Sequence, residues 1–135
     1  MKGAEAFASQ SVKEGHVPDF VFAIDTFVSS DSPLESKRFA EVELGKGFAV
    51  RAIDNSSVVP LQFVDRVAAL AKESDIPLQY GVTGGGNDGS VFLRYGSVAV
   101  ALGWPLRYSH SPAELIDTRD FDALAKIVEI LARKW

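Results

Sequence analysis

Short apolar runs alternate along this chain with segments of helical periodicity, and that alternation constrains the fold more than any other feature. Residues 20–24, FVFAI, are a continuous apolar run of strand length, and such runs mark strands buried on both faces. This strand is expected to end at Asp25. Residues 48–53, 78–82 and 97–104 give three further strands. After Pro60, Leu61, Val64, Val67, Ala68 and Ala71 recur at helical spacing, while Asp65, Arg66, Lys72 and Glu73 fall elsewhere. That pattern predicts an amphipathic helix stopping near Asp75, before Pro77. Toward the end, Phe121, Leu124, Ile127, Val128 and Leu131 share one helical face, with Arg133 and Lys134 in the last turn, where the helix dipole favours cations. A short helix ahead of Gly15, a loop over 29–36 and a helical turn over 90–95 complete the order α-β-β-α-β-(α)-β-α. It predicts a three-layer α/β/α sandwich with a mostly parallel sheet, and residues 1–135 read as a single domain.

A sandwich needs a core, and 47% apolar against 24% charged residues in a chain of 135 supplies one. The absence of cysteine excludes a disulfide scaffold, Cys-based zinc sites and a thiol nucleophile. A formal charge of −4 and a pI near 5.1 lack the electrostatic footprint of a nucleic-acid binder. No apolar run reaches the length of about 18 residues that a membrane span needs, and the opening MKGAEAFASQS lacks a signal peptide's apolar stretch. The chain therefore reads as cytoplasmic, with neither membrane nor nucleic acid as partner.

Few residues are candidates for chemistry. The two histidines, His16 and His110, form no HExxH pair. His110 precedes Ser111-Pro112-Ala113-Glu114, a capping-box pattern with proline at the first helical position. That would put His110 ahead of a helix N-terminus, where imidazolium is disfavoured and the neutral ring is available to a metal; a loop histidine bonding to its neighbours is the other reading. Asp25, at a strand end, either serves a metal or charged substrate or forms a turn. Residues 84–89 match GxGxxG, but the full helix and ribose-binding acid of a dinucleotide site do not follow. The glycines instead allow close backbone approach, as a substrate-lining or packing loop, with Asp88 presented on it. Arg107 either binds an anionic group or pairs with Glu114 or Asp117.

The segments Phe22-Ala23-Ile24-Asp25-Thr26, Glu43-Leu44-Gly45-Lys46-Gly47, Ile76-Pro77-Leu78-Gln79, Gly85-Gly86-Asn87-Asp88 and Arg107-Tyr108-Ser109-His110-Ser111-Pro112-Ala113-Glu114 follow one another in this order. In them the chain resembles the C-terminal part of the tetrahedral aminopeptidases, the glutamyl aminopeptidase family of metallopeptidases whose members are often labelled endoglucanases. The resemblance implies a zinc-peptidase-like fold without its N-terminal part, residues 1–135 being the C-terminal portion of a metalloaminopeptidase catalytic domain. It implies two divalent metals, zinc or cobalt, that activate water against the first peptide bond of a short peptide. Asp25 looks like a ligand of one metal and His110 like a ligand of the other; Gly85, Gly86, Asn87, Asp88 and Arg107 would bind substrate.

In the family another histidine, a bridging aspartate and a pair of glutamates lie upstream, the first glutamate being the general base. A Gly-Ala follows that pair and looks like Gly3-Ala4 here, so by resemblance this chain begins after those residues and carries no catalytic residue itself. Asn87 and Gly89 stand where threonine and alanine are more usual, which bears on the pocket's preference. Glycoside hydrolysis has no identifiable pair of carboxylates to support it. The implied function is the C-terminal segment of a dinuclear-metal aminopeptidase, inactive alone. The alternative is a non-catalytic remnant or assembly subunit that keeps the fold only. Homo-oligomerisation is expected, because strands that read as buried on both faces would lack part of their cover.

Overall fold

In the computed structural model, which describes residues 1–33 and 41–135, helix α1 (Lys2–Glu14) is followed by strands β1 (Phe20–Val28) and β2 (Phe48–Ile53). Helix α2 (Leu61–Glu73), strand β3 (Leu78–Val82) and the short α3 (Ser90–Leu93) come next, then β4 (Val98–Arg107), β5 (Leu115–Ile116) and α4 (Thr118–Lys134). The loop expected over 29–36 is irregular through Pro33, and its remaining positions lie outside the described residues. Gly15 closes α1 in the left-handed conformation, φ 72, which glycine adopts without a Cβ clash.

The sheet order is β1-β4-β2-β3, with β5 also paired to β4. β1 runs parallel to β4 and β2 parallel to β3, while β2 and β5 each lie antiparallel to β4. The result is the expected mixed α/β fold with a mostly parallel sheet. On one face Phe48, Val50, Val100 and Leu102 pack with Val64 and Val67 of α2 and Ile127 and Leu131 of α4. On the other, Ala8 of α1 and Val91 and Phe92 of α3 pack against Val21. Phe121, expected on the apolar face of α4, remains 47% exposed and meets Trp104 edge-on.

Three local expectations are corrected. β1 does not end at Asp25, because the ladder with β4 continues through Asp25–Gly103 to Val28–Leu106. Gly103 permits that approach: a Cβ there would lie 2.2 Å from the Asp25 carbonyl oxygen. β4 likewise runs past Trp104 to Arg107. The third correction concerns residues 111–114, which start no helix. Glu114 takes the N–H of His110 at 2.7 Å, Leu115 and Ile116 pair with β4, and α4 is capped by Asp117, whose side chain accepts from Arg119 N–H. His110 therefore does not directly precede a helix N-terminus.

The Gly45-Lys46-Gly47 segment is fixed by packing. Asp120, buried near the start of α4, accepts the N–H groups of Gly45 and Gly47, each at 2.7 Å. Gly47 has φ 105 and lies so close to Pro77 that a Cβ would fall 2.1 Å from its carbonyl oxygen. Burial pushes the Asp120 carboxyl up from its ordinary value against those two N–H donors.

Candidate functional site

Because β2 is antiparallel to β4, the carboxyl ends of β1 and β4 point away from those of β2 and β3. The sheet thus has no single carboxyl edge to gather a site, and the site forms over a face instead. Alternation puts Val21, Ala23, Asp25 and Phe27 on one face of β1. The α1/α3 cluster covers the Val21 end of this face, and Phe27, Val42 and Ala49 form a second small cluster farther along it. Asp25 lies between them. A cavity of about 400 Å³ here is lined by Asp25, Thr26 and Val28 of β1, Arg51 of β2, residues 83–86 after β3, and Ser109 and His110 after β4.

Asp25 and His110 are thereby brought to one cavity. The Asp25 carboxylate is 42% exposed, accepting Thr26 N–H on Oδ1 at 2.8 Å and the Arg51 guanidinium on Oδ2 at 3.2 Å. His110 stands on a turn in which both it and Tyr108 have left-handed backbones, φ 62 and 63, a conformation uncommon outside glycine. The Glu114 carboxylate holds that turn through the His110 N–H.

Arg51 is the residue that sequence reasoning missed. It is 4% exposed. Its Nε lies 3.0 Å from Asp54 Oδ2 as an ion pair without hydrogen-bond alignment. Nη1 reaches Asp25 and, at 3.4 Å, the Thr26 carbonyl, and Nη2 reaches the carbonyls of Gly84 and Gly86, each at 3.4 Å. Asp54, fully buried at its side chain, accepts on Oδ1 from Ser56 N–H and Oγ, both at 2.7 Å, and from Ser57 N–H at 2.9 Å; Oδ2 accepts Asn87 Nδ2 at 2.8 Å. Burial raises the Asp54 carboxyl, but the hydrogen bonds from Asn87 and Ser56 and the Arg51 charge outweigh it and hold the group below its ordinary value. Two carboxylates around one guanidinium leave a net negative charge at the cavity wall. The signal was present in the sequence: an arginine inside an apolar strand needs an acidic partner, and Asp54 follows three residues later.

The other expected site residues divide. Gly85 and Gly86 line the cavity; Asn87, Asp88 and Arg107 do not. Asn87 is buried, holding Asp54 with its amide N–H and accepting Gly89 N–H on Oδ1 at 2.9 Å, so it fastens the glycine loop from beneath. Asp88 lies on the surface, 3.1 Å from the amino group of Met1. Arg107 pairs with neither Glu114 nor Asp117. It makes a two-point contact with Asp31, Nε to Oδ1 at 3.2 Å and Nη2 to Oδ2 at 2.6 Å, and this bond holds the Asp31 carboxyl below its usual range. Asp117 belongs to Arg119, whose side-chain hydrogen bond holds it down to about 2.

The carboxylate of Asp25 and the imidazole of His110 are donors of the kind divalent metals take. A catalytic zinc normally has about three protein ligands, and no group of three or more His, Cys, Asp or Glu able to hold an ion occurs among the described residues. The donor set fits a metal in kind and falls short in number.

The sequence profile of the M42 glutamyl aminopeptidases matches residues 3–127. This chain belongs to that family. Every cavity residue lies inside the M42 match. A protein of Acetivibrio thermocellus is 31% identical over 131 residues, covering 95% of this chain and 38% of that one. The lysyl aminopeptidase of Pyrococcus furiosus is 38% identical over 93 residues, covering 66% of this chain and 26% of that enzyme. The solved TET1 peptidase of Pyrococcus horikoshii, described as assembling into a tetrahedron or a large octahedral shell, superposes with a TM-score of 0.82 at 36% identity, covering 99% of this chain and 37% of that one. This M42 chain thus spans little more than a third of the length of such relatives. No helix among its described residues is long and apolar enough to cross a membrane.

Proposed function

We propose that this chain is the C-terminal portion of an M42 aminopeptidase catalytic domain. In this reading Asp25 is a carboxylate donor to one divalent ion and His110 an imidazole donor to a second, the ions being zinc or cobalt. The observation that carries the reading is the convergence of Asp25, His110 and the 84–86 loop on one cavity, although they come from three separate parts of the chain. Two such ions, when bound, supply an activated water and a clamp for the carbonyl oxygen. The chain's own residues provide the setting. The side-chain-free loop at 84–86 lets a short peptide approach the backbone closely, while Thr26, Thr83 and Ser109 also line the wall.

Alone, the chain does not hydrolyse peptides. Two donors assigned to different ions leave each ion with one protein ligand against the usual three or so. The cavity also has no group assigned as general base, a role worth about 10²- to 10⁴-fold in rate. Assembly into a homo-oligomer belongs to the same proposal. It is supported by the described shells of the TET1 relative and by the exposed Phe7, Val58 and Leu61 of this chain.

The test is an assay on unblocked aminoacyl anilides with added zinc or cobalt, alongside calorimetric metal titration of the chain and its Asp25→Asn and His110→Ala variants. The expected result is no turnover, with weak metal binding that each variant weakens further. Turnover that disappears in both variants would overturn the inactive-segment reading, and metal binding indifferent to both would overturn the site.

A further inference from the structure

Asp25 already has a cation beside it. The Arg51 guanidinium stands 3.2 Å from Oδ2, and the Thr26 N–H occupies Oδ1. The guanidinium does not depend on Asp25 for its position. Asp54 and the carbonyls of Thr26, Gly84 and Gly86 surround it as well. Nor can it give up its charge, since arginine stays protonated in proteins. We infer that Arg51 is the resident counter-ion of Asp25, a built-in competitor that weakens the hold of this carboxylate on a divalent ion. The inference rests on Asp25 being the metal donor proposed above.

The physical basis is charge and burial together. A divalent ion at Asp25 sits within a few ångströms of a fixed positive charge whose side chain is only 5% exposed, where salt screens little. The ion must also draw Oδ2 away from Arg51 or share it. Asp54, 3.0 Å from Nε, compensates part of that charge, but with few protein ligands among the described residues the competition for Oδ2 remains. Arg51 thus keeps the cavity ordered, tying Asp25 to the 84–86 loop, at the expense of metal affinity. A complete ligand set supplied by further polypeptide would outweigh it.

The experiment is zinc titration by calorimetry on the whole chain and on Arg51→Gln, Arg51→Lys and the double variant Arg51→Gln/Asp25→Asn, with circular dichroism to verify folding. Arg51→Gln keeps amide donors for the surrounding acceptors and removes the charge. It is expected to bind zinc at least about tenfold more tightly, equivalent to about 1.4 kcal/mol. Arg51→Lys, which keeps the charge, should stay within a few-fold of the unaltered chain, and the gain should vanish in the double variant. A folded Arg51→Gln that binds zinc no more tightly overturns the inference while leaving Asp25 as a donor. Binding that is indifferent to Asp25→Asn overturns both. If Arg51→Gln does not fold, the unaltered chain decides by nuclear magnetic resonance. Zinc should shift the Arg51 guanidinium and Asp25 carboxyl signals in step, and a bound ion that moves the Asp25 signal without moving Arg51 refutes the competition.

Discussion

The two faces of the central sheet are made by the same strands and carry opposite chemistry. Against α2 and α4 stand Phe48, Val50, Val100 and Leu102, all buried in one apolar core. One residue along, the other face presents Ala49, Arg51, Ala99, Ala101 and Gly103. Small side chains there leave room for a cavity beside Phe27, and a buried arginine organises it. Period two lets a strand fill a core with one set of side chains and leave a hollow with the next. The filled face holds the fold, and the hollow face holds the candidate site.

Substitutions on each face can break that division. Phe48→Ala removes a fully buried ring from the filled face and should cost about 3–5 kcal/mol in urea unfolding. On the hollow face Arg51→Met leaves the buried Asp54 charge without its cation, and breaking such a pair is expected to cost about 3–5 kcal/mol. A cost under about 1 kcal/mol would mean that the hollow face adds shape and no stability. Asn87→Ala deprives Asp54 and the Gly89 N–H of their partner and should cost about 1–3 kcal/mol. Hydrogen exchange at Gly89 should quicken with it.

The smallest effect, and the one that sharpens the comparison most, is the response of two buried carboxylates to pH. Asp54 is held below the ordinary value of 3.8, so its contribution to stability is complete above that value and is lost as pH falls through the depressed folded one. Asp120, in α4 of the helical layer, is raised above 3.8, so its contribution is present below that value and is lost as pH rises through the folded one. Unfolding midpoints followed from pH 7 to 3 should show an Asp54→Asn variant losing less stability in acid than the unaltered chain. An Asp120→Asn variant should lack the gain that falling pH brings through Asp120. Parallel curves for all three proteins would erase the electrostatic difference between the regions.

Much of the filled face was legible in the sequence. Leu61 to Ala71 and Leu124 to Leu131 repeat at helical spacing, and the apolar runs at 20–24 and 48–53 have strand length, so α2, α4, β1 and β2 follow from local pattern. Boundaries were less legible. Nothing local tells Asp25 to continue a strand; the bare backbone of Gly103, far along the chain, does. Ser111 to Glu114 has the composition of a capping box, yet Glu114 bonds the His110 N–H because Leu115 and Ile116 are drawn onto β4. Tertiary pairing overrode a local signal.

The sequence by itself determined the layered α/β architecture, the residues of the helical core and the family resemblance, because side-chain periodicity and motif order are written along the chain. Only the tertiary structure decided that β2 runs antiparallel to β4 and that the candidate site lies over a face of the sheet. It likewise decided that Arg107 belongs to Asp31, that Asn87 is a buried fastener of the glycine loop, and that Arg51 is the cation beside Asp25. Each of these is a pairing between residues well separated in sequence. A charged or polar group selects its partner by distance and burial in the folded state, which the order of residues does not encode locally.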